Sequence, residues 1–106
     1  MNPGTHSILI ELRRELALMY GERLERMVLF GSHARGSADA GSDIDVLVVL
    51  NGPVRPGTEI KRTGRVTSAL SLKHGVVLSC TFVSADRFHT EQSPLLMNVR
   101  REGVLV

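Results

Sequence analysis

Apolar residues recur every three or four positions between residues 8 and 19. Ile8, Leu9, Leu12, Leu16 and Met19 make one stripe, with Glu11, Arg13, Arg14 and Glu15 off it. That is the period of a helix with one buried face. Thr5 or Ser7 can cap it, it runs to about residue 20, and Gly21 ends it. The pattern then changes to short unbroken apolar runs. Residues 27–30 read as a first strand, and residues 42–50 as a second that opens with two acids and continues apolar. Between them, 31–36 read as a turn with one helical turn, and 37–41 as a loop of small residues. Gly and Pro mark 51–57 as a loop. Thr58 can cap a helix to about residue 74, stopped by Gly75. Its stripe is weaker, with Ile60, Val66, Leu70 and Thr67 around an internal Gly64.

Residues 76–83 read as a third strand, and Ser84 can cap a short helix or turn through residue 88. Pro94 opens a last helix over 95–101 with Leu95, Leu96 and Val99 on one side, and Gly103 ends it. Val104-Leu105-Val106 is an apolar tail, read as an edge strand, a packed end or a docking surface. Helices alternate with strands, so the expected class is α/β (α+β): a small mixed β-sheet of three or four strands with helices packed on it. Residues 1–106 are expected to form a single domain.

Composition narrows the function. Net charge is +2, from 13 Lys and Arg against 11 Asp and Glu. That balance is too even for a dedicated nucleic-acid binder, so no direct nucleic-acid binding is expected. Eleven of the 13 bases are Arg, whose planar head suits carboxylate and phosphate. Cys80 is alone and has no internal disulfide partner, which points to a reducing compartment. No apolar run approaches the roughly 20 residues needed to span a bilayer, and no signal-peptide pattern is present. A cytoplasmic protein with no membrane contact is expected. His6, His74 and His89 show no metal-ligand spacing, and no Walker-type Gly-Lys-Ser/Thr occurs.

The chemistry concentrates in Gly31-Ser32-His33-Ala34-Arg35-Gly36, followed by Asp43-Ile44-Asp45. In a strand, side chains alternate faces, so Asp43 and Asp45 point the same way, roughly 6.6 Å apart along the chain. Two carboxylates so placed repel each other unless a divalent cation lies between them. Gly31-Ser32 alone is an ordinary turn, and Asp43-x-Asp45 alone an ordinary strand opening. Together they are rarer: four fixed positions at about 6% each arise by chance in roughly one chain in a thousand of this length.

This stretch resembles the signature of the DNA polymerase beta-like nucleotidyltransferase superfamily, and above all its minimal nucleotidyltransferases. That signature is Gly-Ser, about ten residues, then Asp-x-Asp, usually with Ala-Arg-Gly after the Gly-Ser. The resemblance implies catalytic and metal-ligating roles for Asp43 and Asp45, and nucleotide contacts from Gly31, Ser32, His33 and Arg35. It implies Mg²⁺ as cofactor and ATP or another nucleoside triphosphate as substrate. Such chemistry must hold a triphosphate, neutralise it and align an attacking oxygen. Gly31 lets the backbone approach a phosphate, and the amides of Ser32 and His33 would point at its oxygens. His33 is read as acting through that amide. Arg35 is read as contacting a phosphate or a partner, or as pairing with Asp39.

The chain departs from the family in one respect. Active members carry a third carboxylate on a later strand, and the matching run, Val76-Val77-Leu78-Ser79-Cys80-Thr81-Phe82-Val83, has no acid. Ser79 or Thr81 would take that position; Asp86 and Glu91 lie beyond it. The family habit implies transfer of AMP to a partner protein, commonly a small helical HEPN-type toxin encoded alongside, with this chain as antitoxin. The rival reading is a catalytically weak nucleotide-binding antitoxin that neutralises its partner by contact. A third, modification of a small molecule such as an aminoglycoside, is disfavoured because the chain has no second domain. Stoichiometry stays open between monomer, homo-oligomer and hetero-oligomer.

Overall fold

The computed structural model describes residues 2–106. Its first helix, α1 (Pro3–Tyr20), starts earlier than the sequence suggests. Asn2, not Thr5 or Ser7, is the cap, its side chain accepting from the amides of Gly4 and Thr5. Pro3 fits the first turn, where its missing N–H leaves no bond unmade. A 3-10 turn, Gly21–Arg23, leads into β1 (Leu24–Phe30), which is three residues longer than predicted. Then follow α2 (Ser32–Arg35), β2 (Ile44–Leu50) and α3 (Pro56–His74). The chain closes with β3 (Leu78–Ser84), α4 (Ala85–Thr90), α5 (Pro94–Glu102) and β4 (Val104–Leu105).

The four strands form one mixed sheet in the order β3-β2-β1-β4. β1 runs antiparallel to both β2 and β4, whereas β2 and β3 are parallel and joined through α3. The expected class, a small mixed sheet carrying helices, is the one found. β2 is central, and helices cover both its faces. Ile44, Val46, Val48 and Leu50 belong to one cluster with Leu9, Leu12 and Leu16 of α1. Leu47 and Val49 belong to the other, with Phe88 of α4 and Leu96 and Val99 of α5. An unbroken apolar run is what a strand buried on both faces requires. Each such side chain contributes roughly 1.5–3 kcal/mol on burial.

One position in each of two predicted stripes shifts by one residue, while Ile8, Leu9, Leu12, Leu16 and Leu70 are buried as expected. On α1, Tyr20 is buried and Met19 exposed. On α3, Ile60 is 54% exposed, while Glu59, Thr63 and Leu70 are buried. Both shifts have one cause: the Tyr20 hydroxyl donates to Glu59 Oε1 at 2.7 Å, so two polar groups satisfy each other inside the fold. On α5, Leu96 and Val99 face inward but Leu95 does not. Ser93 caps that helix, accepting from the Leu96 amide.

The tail resolves as an edge strand. Val104 and Leu105 pair with Leu29 and Val28, the Val106 amide donates to the Met27 carbonyl, and Leu105 stays exposed. No helix among the described residues is long and apolar enough to cross a membrane.

Candidate functional site

β1 ends where β2 begins, because the two are antiparallel neighbours; Phe30 lies opposite Asp45 in the register. Gly31 therefore turns the chain directly beside Asp45. Its φ of 75° and ψ of −155° lie where L side chains carry strain. There is also no room for one: a Cβ built on Gly31 would stand 2.6 Å from Asp45 Oδ2. The two requirements are independent, and both exclude any residue but glycine.

α2 is a single turn starting at Ser32, and no side chain caps its N-terminus. Gly36, at φ 74°, ends it in the left-handed region. The chain then runs through 37–43 to β2. Asp43 precedes β2 by one residue and is exposed, whereas Asp45 is the second residue of β2 and half-buried. Strand alternation puts Asp45 on the sheet face that carries Leu47 and Val49. Burial first, and then the charge of Asp43, push the Asp45 carboxyl above the usual carboxylate range; His33 and Arg35 pull the other way, less strongly. The second term means that the two acids sense each other. Asp45 has no hydrogen-bond donor among the described residues.

A half-buried carboxylate beside a second acid, with no donor and a bare backbone turn against it, is a destabilised arrangement. A divalent cation would relieve it, since hard cations take carboxylate oxygens and repay the repulsion. The two acids and Gly31 thus fit a metal-bound polyphosphate. No cluster of three or more His, Cys, Asp or Glu suited to a metal occurs among the described residues. The remaining ligands would come from the substrate.

The third strand shows where a further ligand would stand. Ser79 pairs with Asp45 across the parallel β2–β3 ladder and is exposed, whereas Thr81 pairs with Leu47, one pleat deeper. Ser79 rather than Thr81 is the neighbour of Asp45. Asp86 lies on α4, and Glu91 is held by Arg87 at 2.8 Å, away from this position. Arg35 does not pair with Asp39; its nearest acid is Glu102 of α5, at 3.9 Å. That long, half-exposed contact leaves the guanidinium free to meet an anion. The side chain of His33 is engaged: Nε2 lies 3.1 Å from the Ser42 carbonyl oxygen. No sequence signal marked that contact, because it spans nine residues of loop.

A cavity of about 630 Å³ adjoins this arrangement without containing it. Thr5, Ile8, His33, Arg35, Asp39 and Ser42 line it, but neither Asp43 nor Asp45 does. Cys80 is partly buried, and desolvation pushes its thiol up to about 11, which disfavours the reactive thiolate.

The family model described as a nucleotidyltransferase domain matches residues 9–89 of this chain. Two relatives from Methanocaldococcus jannaschii carry names that make them candidate protein adenylyltransferases. One is 32% identical over 72 residues, covering 68% of this chain and 72% of the relative. The other is 34% identical over 94 residues, covering 88% of each. Among solved structures, a toxin–antitoxin with AMP-PNP superposes with TM-score 0.63 at 17% identity, over 93% of this chain and 69% of that one. A double Asp→Glu variant of the toxin–antitoxin MntA–HpeT gives 0.60 at 14%, over 99% and 71%. A candidate nucleotidyltransferase from Sulfolobus solfataricus gives 0.50 at 20%, over 99% and 87%. At these identities the structural likenesses speak for the fold.

Proposed function

This chain belongs to the nucleotidyltransferase domain family, and from that premise we propose that it binds Mg²⁺-ATP at Gly31, Ser32, His33, Arg35, Asp43 and Asp45 and transfers AMP to a partner protein. The observation that carries the reading is the pair of acids without a donor, of which Asp45 lies against the Gly31 turn and senses the charge of Asp43. Asp43 and Asp45 would hold the metal. When bound, the ion supplies charge neutralisation of the triphosphate and of the departing pyrophosphate. The amides of Ser32 and His33 would orient phosphate oxygens, and Arg35 would add a mobile positive charge. In the transfer, an acceptor hydroxyl forms its bond to the α-phosphorus, the bond from that phosphorus to pyrophosphate breaks, and the hydroxyl proton leaves to solvent. The partner we infer is a helical HEPN-type toxin that this chain neutralises as an antitoxin. Two relatives named for protein adenylyltransferase activity and two neighbours described as toxin–antitoxin support that role.

Ser79 beside Asp45, in place of an acid, favours a second reading: nucleotide binding with slow or absent transfer, and neutralisation by contact. The experiments separate the two. Mg²⁺ with ATP should raise the melting temperature. At a hundred times its Kd, a ligand adds ~2.7 kcal/mol, which is on the order of 10 °C for a domain this size. Asp43→Asn with Asp45→Asn should abolish the shift; a shift that survives places the nucleotide elsewhere. ATP labelled at the α-phosphate, incubated with the helical partner, then decides the outcome. Label on the partner means transfer, and a stable unlabelled complex means capture.

A further inference from the structure

Both ring nitrogens of His33 are engaged. Nε2 lies 3.1 Å from the Ser42 carbonyl oxygen and Nδ1 lies 3.5 Å from Thr5 Oγ1. A carbonyl can only accept, so Nε2 carries a hydrogen and donates it; in the neutral ring Nδ1 then accepts from the Thr5 hydroxyl. Thr5 is 7% exposed in the first turn of α1, a rigid anchor. Ser42 is the residue immediately before Asp43. The ring therefore spans from a helix of the scaffold to the loop that presents the acids.

That loop has little else to hold it. Residues 37–43 read Ser-Ala-Asp-Ala-Gly-Ser-Asp, with no large apolar side chain to bury. Its side-chain bonds are internal. Asp39 Oδ1 accepts from the Gly41 amide at 2.9 Å and from the Ser42 hydroxyl at 3.1 Å. The Asp39 amide donates to Ser42 Oγ, and the Ser42 amide to the Asp39 carbonyl. These bonds close 39–42 into a compact turn but fix it to nothing. Among the described residues, the His33 contact is the one side-chain hydrogen bond that ties 38–43 to another element.

We propose that His33 is a positioning residue, its imidazole fastening the Asp39–Ser42 turn to α1 so that Asp43 is held in place beside Asp45 and the Gly31 turn. The metal and nucleotide in this statement rest on the function proposed above; the fastening of the loop does not. The side chain thus acts on the acids through the backbone of the loop that precedes them.

Two measurements on the full chain test this. The first is amide hydrogen exchange without any ligand. The Ile44 amide donates to the Val77 carbonyl at 2.8 Å and reports the loop just upstream. Its exchange should be about tenfold faster in His33→Ala, the loss of one hydrogen bond, with the Val48 amide unchanged. His33→Gln carries an N–H close to the Nε2 position and should restore the rate to within about threefold. The second is affinity for Mg²⁺-AMP-PNP, which should weaken about tenfold in His33→Ala and recover in His33→Gln. Should His33→Ala fail to fold, His33→Asn replaces it, since Asn keeps a nitrogen near Nδ1 and none near Nε2. Exchange at Ile44 that is unchanged, or Gln that performs no better than Ala or Asn, overturns the proposal. A wild-type chain that ignores Mg²⁺-AMP-PNP sinks the nucleotide reading alone, and the exchange result still decides the role of His33.

Discussion

Glu59 and Asp45 are both drawn out of water, and the fold treats them in opposite ways. Glu59 on α3 is 4% exposed and fully answered. The Tyr20 hydroxyl donates to it at 2.7 Å, and Arg62 and Arg23 stand at 3.2 and 3.7 Å. Arg23 also donates to the Asn51 and Pro53 carbonyls, so the cluster ties the end of α1 to the loop before α3. Burial and the facing Glu59 hold the Tyr20 phenol protonated across the ordinary range. Asp45, at the start of β2, has an acid for a neighbour and no donor. A structural carboxylate is paired because an unpaired one costs stability. The fold leaves Asp45 uncompensated, and that cost is tolerable where a ligand supplies the missing charge.

The contrast breaks most visibly at Glu59. Glu59→Ala would strip partners from a buried hydroxyl and two guanidinium groups. The expected loss is about 2–3 kcal/mol, or roughly 10 °C in melting temperature. A loss under about 0.5 kcal/mol, the range of ordinary surface changes, would mean that the cluster is ornamental.

Gly31→Ala comes next. The strained backbone and the collision with Asp45 predict a loss of about 1–3 kcal/mol together with loss of nucleotide binding. Urea unfolding measures the first, and the Mg²⁺-ATP thermal shift the second. An alanine variant that keeps both would show that the turn has room to spare.

Asp45→Asn should move the other way in the free protein. Removing an unanswered charge should raise stability slightly, by a few tenths of a kcal/mol up to about 1 kcal/mol, while binding is lost. The same residue governs the smallest effect, that of pH. A carboxyl held above its ordinary 3.8 keeps its proton in the fold after the unfolded chain has released it. Stability from this group is therefore present at low pH and is lost as pH rises through that window. Glu11 and Glu91 have the opposite sign. Lys73 and then His74 lower the first, Arg87 and then Ser93 lower the second, and their contributions fade as pH falls. The melting-temperature gain of Asp45→Asn over wild type should be near zero around pH 3 and grow toward pH 6. A gain that is constant with pH would remove the charge argument.

Much of the fold was legible because its signals are local. The α1 stripe, the apolar run of β2 and the glycines at 21, 31 and 75 depend on neighbours within a few positions. The Gly31-Ser32 turn and the Asp43-x-Asp45 spacing were equally plain. What misled was polar residues that act as core. Tyr20 and Glu59 look like surface residues one by one, and only their mutual hydrogen bond makes burial tolerable. Asn2, the cap of α1, lies well before Ile8, the first residue of the apolar stripe that marks the helix.

By itself, the chain determined its alternation of helices and strands, the glycine turn and the pair of acids that follows it, because these follow from backbone sterics and hydrophobic period. The tertiary structure alone decided that β1 and β2 run antiparallel, so that Gly31 abuts Asp45. It also decided that Ser79, not Thr81, stands beside the acids, and that the His33 ring reaches Ser42 and Thr5. Each of these is a contact across strands or loops, set by register and packing, and register is a property of the assembled sheet that no single segment encodes.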